Sequence, residues 1–107
     1  MYKYIVAFIF IAIIIACGND TSESTPPVFD EFKYGAKVFQ KNCVLCHGID
    51  GKLQFNGAKD ITKSTLTLDE RILLVTNGRK TMTPFKGILS EKKIKAVAAY
   101  TMKMKKE

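Results

Sequence analysis

Hydrophobicity along the chain changes character three times. Behind Lys3, residues 4–16 (YIVAFIFIAIIIA) form an unbroken apolar run. Residues 18–27 (GNDTSESTPP) then carry no aliphatic or aromatic side chain. From Val28 onward apolar positions recur every three or four residues, the spacing of helix faces. Phe29, Phe32, Ala36 and Phe39 predict a first helix, with Gly35 among them. Thr67-Leu68-Asp69-Glu70 reads as a capping box that opens a second helix through Ile72, Leu73 and Val75 and stops at Gly78. Ser90 predicts the cap of a last helix carrying Ile94, Val97, Ala98 and Tyr100.

The apolar run is short for a membrane span of ~20 residues but suits the core of a secretory signal. It ends at Ile14-Ile15-Ala16-Cys17, a pattern resembling a bacterial lipobox, which predicts a signal peptide over residues 1–16 and a lipidated Cys17 at the mature N-terminus. The alternative is an uncleaved signal anchor that happens to end in cysteine. Residues 17–27 then read as a flexible tether, since their composition cannot bury enough surface to fold. Acylation at Cys17 predicts stable attachment to a bilayer, with the folded part outside the cytoplasm. Residues 28–107 remain as one domain of 80 residues, small enough to need a staple beyond its own core.

Cysteine and histidine are scarce: Cys17, Cys43 and Cys46 are the cysteines and His47 is the one histidine. Three chemistries compete for Cys43-Val44-Leu45-Cys46-His47. A thiol–disulfide site would sit in a βαβ setting, and no convincing strand flanks this stretch. A zinc site would need two further ligands, which no second Cys or His pair supplies. Covalent haem attachment uses every residue: two thiols a helical turn apart form thioethers with one edge of a porphyrin, and the adjacent imidazole meets the iron. A second axial ligand is predicted at Met82, in a segment Lys80-Thr81-Met82-Thr83-Pro84 held between Gly78 and Pro84, where helix packing does not explain a methionine. Met102 and Met104 are placed in the last helix and its frayed, lysine-rich end.

On these residues the chain resembles the small class I cytochromes c, over essentially all of residues 29–103. The resemblance implies an all-α fold in which N- and C-terminal helices cross beside a covalently bound haem c, with a shorter middle helix and loops. It implies Gly35 facing Tyr100 at the crossing. It also implies a backbone carbonyl that accepts the Nδ1–H of His47; relatives commonly place proline there, whereas this chain reads Gly57-Ala58-Lys59-Asp60-Ile61. Val44, Phe55, Ile61, Leu68, Ile72, Leu73, Phe85 and Leu89 are expected to wall the haem pocket.

Cys43 and Cys46 as thioether donors, with His47 and Met82 as axial ligands, leave the iron no open position. The expected function is therefore one-electron transfer between respiratory protein partners, not enzymatic turnover of a small-molecule substrate. The alternative is a haem enzyme or a gas or redox sensor in which Met82 leaves the iron. Net charge is +7, and +6 once Lys3 leaves with the signal. Lys52, Arg79, Lys80 and Lys86 flank the predicted haem segments and suggest docking to acidic surfaces of redox partners; anionic lipid headgroups fit the same charges. Compartment and motifs argue against nucleic acid.

Overall fold

The structure, a computed structural model, describes residues 30–104. Cys17, the apolar run, the tether and Phe29 lie outside the described residues. Among the described residues four α-helices and two short 3-10 turns follow in order: α1 Glu31–Asn42, α2 Val44–His47, the turns Phe55–Gly57 and Ile61–Lys63, α3 Leu68–Asn77 and α4 Glu91–Met102. Among the described residues the only β pairings are the isolated bridges Arg79–Met82 and Lys86–Leu89, so the fold is all-helical.

Local chemistry sets the helix ends. The Asp30 carboxylate accepts from the Lys33 amide and starts α1. At α3 both halves of the capping box form: the Thr67 hydroxyl accepts from the Glu70 amide at 3.3 Å, and the Glu70 carboxylate accepts from the Thr67 amide at 2.7 Å. The Gly78 amide closes α3 on the Leu74 carbonyl, with Gly78 at φ 67°. The Ser90 hydroxyl starts α4 by accepting from Lys93.

α1 and α4 cross at Gly35. A Cβ built there would lie 2.9 Å from Tyr100 Cβ and closer still to the Ala96 carbonyl oxygen, so only glycine lets the backbones meet. This explains the complete burial of Ala96, which lies off the apolar face predicted for α4. The Tyr100 ring sits between Phe32 and Phe39, with centroids at 5.2 and 5.4 Å. Val38, Phe39, Val75, Ile94 and Val97 form the core that joins α1, α3 and α4. Phe32, spaced to share a helix face with Phe39, keeps 51% of its surface exposed although the Tyr100 ring packs against it.

Two further residues depart from the expected picture. Arg71 is only 4% exposed and donates to three backbone carbonyls: Thr101 from Nη1 at 2.9 Å, Ser64 from Nη2 at 3.3 Å and Leu66 from Nε at 3.3 Å. Met104, expected at a frayed end, packs against the core instead, continuing the Val97–Thr101 row one turn further.

Candidate functional site

α1 breaks at Cys43, whose φ of −121° leaves the helix, and the chain re-enters helical geometry at once in α2. The break leaves the motif wound as one turn: the amides of Cys46 and His47 both donate to the Cys43 carbonyl, at 3.3 and 3.0 Å. Cys43 and Cys46 are therefore a helical turn apart, and both thiols are free. Cys43 packs against the core. Burial first, and the neighbouring Cys46 thiol second, push its pKa up to about 11. Leu45, between them, turns to solvent with 81% of its surface exposed.

Gly48, with φ 73°, ends α2 and turns the chain back along His47. Two backbone bonds shape the return: Leu53 donates to the His47 carbonyl at 2.9 Å, and Ile61 donates to the Gly51 carbonyl at 2.9 Å. That return carries Lys59 to the histidine, where His47 Nδ1 lies 3.0 Å from the Lys59 carbonyl oxygen. A carbonyl only accepts, so Nδ1 carries the proton of this bond, and Nε2 is the ring nitrogen left to face a ligand. The carbonyl expected from the family thus comes from lysine without loss of the bond, because the backbone and not the side chain supplies it. Asp60 stiffens the next turn by accepting from the Thr62 amide at 2.9 Å and the Thr62 hydroxyl at 2.6 Å. Those bonds, led by the hydroxyl, hold its carboxyl below the usual range.

Met82 stands in a tight turn in which Arg79 and Met82 exchange backbone bonds at 2.9 and 3.3 Å, with Lys80 at φ 54°. Gly78 makes room for it: a Cβ there would come 2.5 Å from the Met82 carbonyl oxygen and 2.7 Å from Pro84 N. The segment is pinned to α3 by bonds from Phe85 to Val75 and from Lys86 to Thr76, at 3.0 and 3.1 Å. Met82 is half-buried and packs against the same core as Cys43. The fold thus brings a thiol from the first half of the domain and a thioether from the second half to one apolar cluster.

Of the expected pocket walls, Val44, Ile61, Ile72, Phe85 and Leu89 are partly buried against this core. Phe55, Leu68 and Leu73 expose 59%, 40% and 60% of their surfaces. Two free thiols one turn apart, an imidazole with a bare nitrogen, a thioether on the same core and large apolar side chains open to a flat apolar group fit a c-type haem. Among the described residues no group of three or more His, Cys, Asp and Glu could hold a metal ion by itself. Lys52, Arg79, Lys80 and Lys86 are all exposed. The sequence reading missed Arg71 and Met104, although the spacings Arg71–Val75 and Val97–Thr101–Met104 carried the signal of shared helix faces.

Residues 30–100 match the family described as cytochrome C oxidase, cbb3-type, subunit III. Over 74 residues the chain is 42% identical to a cytochrome c6 of Leptolyngbya boryana, covering 64% of this chain and 86% of that protein. It is 35% identical over 85 residues to a cytochrome c6 of Nostoc sp. strain PCC 7120, covering 74% and 76%. A cytochrome c6-like protein of the same strain is 35% identical over 88 residues, covering 76% and 78%.

Proposed function

The chain belongs to the small class I, mono-haem cytochromes c, electron carriers with one covalently bound c-type haem, and from that premise we propose that it is an exported, membrane-tethered carrier serving respiratory protein partners. Reversible one-electron exchange between ferric and ferrous iron is the chemistry the haem supplies. Cys43 and Cys46 would hold the group through thioethers, and His47 and Met82 would supply the two side-chain ligands to its iron. The observation that carries these roles is the His47–Lys59 bond, which fixes the imidazole tautomer beside two free thiols. Rigid ligands keep rearrangement between oxidation states small. The apolar neighbours Val44, Ile61, Ile72, Phe85 and Leu89 exclude water, and a Met/His pair in such surroundings favours the ferrous state.

Lipid attachment at Cys17 after removal of residues 1–16 is the proposed tether, with residues 28–107 as the carrier domain. Exposed Lys52, Arg79, Lys80 and Lys86 are proposed to meet acidic surfaces on redox partners. The match to an oxidase subunit family favours a second placement, in which the tether holds the domain as a subunit beside a larger respiratory complex and raises its effective concentration there.

The ferric holoprotein is expected to show the weak long-wavelength band of an iron–thioether bond, and Met82→Ala to lack it. A parent without the band that readily binds cyanide or carbon monoxide overturns the carrier in favour of a haem enzyme or sensor. Cys17→Ser is expected to release the chain from membranes; retention points to an uncleaved anchor. Co-purification with an oxidase after mild detergent extraction separates the subunit placement from the free carrier.

A further inference from the structure

Two loops have to stay in register for His47 and Met82 to serve one iron. The loop after His47 is fixed through Lys59 to the imidazole, and the Met82 turn is pinned to its own helix α3. Neither set of bonds joins one loop to the other. The Thr81 hydroxyl does: Oγ1 donates to the Asn56 carbonyl oxygen at 2.8 Å, across 25 positions of sequence. Among the described residues no other side-chain hydrogen bond links these two segments.

Both ends of this bond sit in tightly set backbone. Asn56 is left-handed at φ 53° and ψ 37°, and Gly57 follows at φ 80° with space for a Cβ only 3.6 Å from Thr81 Oγ1. Thr81 lies between Lys80, at φ 54°, and Met82 in the four-residue turn. Each loop holds its own turn geometry, and one hydroxyl couples them.

We propose that Thr81 is a positioning residue that latches the Met82 loop onto the Asn56 segment and thereby sets how readily the Met82 sulfur leaves the iron. The inference rests on Met82 as an axial ligand. Opening the latch raises the fraction of protein with the sulfur displaced. An external ligand that binds only that fraction gains apparent affinity in proportion.

The test is an imidazole titration of the ferric holoprotein, followed optically, in the parent, Thr81→Val, Thr81→Ala and Thr81→Ser. For a hydrogen bond of ordinary net strength, Val and Ala are expected to bind imidazole about fivefold more tightly than the parent, while Ser, which keeps the hydroxyl, stays near the parent. Far-UV unfolding in denaturant is followed alongside. A purely structural role for Thr81 would lower the unfolding midpoint while leaving the imidazole affinity at the parental value, and that result overturns the latch. Equal affinity in all four proteins, with the thioether band intact in the parent, also overturns it and leaves Met82 as ligand. A parent that lacks the band and binds imidazole as tightly as Met82→Ala removes the ligand assignment, and the latch falls with it.

Discussion

Arg71 holds three carbonyls that no other described side chain reaches, two from the loop before α3 and one from the end of α4. Burial lowers its pKa, yet a guanidinium does not discharge at any ordinary pH, so the site holds a charge met by three backbone carbonyl dipoles. Replacing it by leucine keeps the apolar stem and strips the donors. Arg71→Leu is expected to cost about 3 kcal/mol in urea unfolding, the size expected for a broken buried network, and Arg71→Lys to recover only part because one ammonium cannot fork to three acceptors. A loss below about 1 kcal/mol would show that the carbonyls find water instead.

At the scale of elements, the crossing of α1 with α4 depends on one missing methyl group. Gly35→Val would drive atoms into the Ala96 carbonyl and Tyr100 Cβ, neither of which is the free end of a flexible chain. It is expected to destabilise by about 3 kcal/mol, the upper part of the range for overpacking, with a matching fall in the thermal midpoint. A neutral result would mean that the helices slide apart without penalty. The caps predict a smaller effect. Thr67→Ala removes one half of the capping box and is expected to cost about 1 kcal/mol in the same assay. Capping boxes, stop glycines and the one-turn spacing of the thiols were legible in sequence because each is settled within four residues. His47 and Met82 stood out as residue types, since soft sulfur and imidazole have few other reasons to stand where they do. Phe32 shares the apolar spacing of Phe39 yet stays half exposed, because helical spacing defines a face but not how far the neighbouring helix extends over it.

The whole molecule carries its charge unevenly in sequence, with no acid between Glu70 and Glu91, where Arg79, Lys80 and Lys86 are exposed. An ion pair between Lys33 and Asp30, at 3.8 Å, lies on the surface of α1 and contributes little. If the basic face guides docking, stopped-flow electron transfer with an acidic protein partner should slow several-fold as ionic strength rises from about 0.01 to about 0.15 M, where the screening length shrinks from about 30 to about 8 Å. An uncharged small reductant should show no such slope, and a flat profile with the protein partner would remove the steering role. No helix among the described residues is long and apolar enough to cross a membrane, so the proposed attachment rests on Cys17 and the segment around it.

The sequence by itself determined whatever is decided within about one helical turn: where helices start and stop, and that two thiols and an imidazole share a turn of the kind haem attachment uses. The tertiary structure alone decided which backbone oxygens meet which side chains across long stretches of chain. Asn56 serves Thr81, Thr101 serves Arg71, and Ala96 yields to Gly35, whereas the Lys59 carbonyl at His47 was expected only through the family resemblance. Backbone carbonyls are the same at every residue, so no residue type marks which one will accept a bond. That choice is made only when the core of Val38, Phe39, Val75, Ile94 and Val97 closes and brings distant segments together.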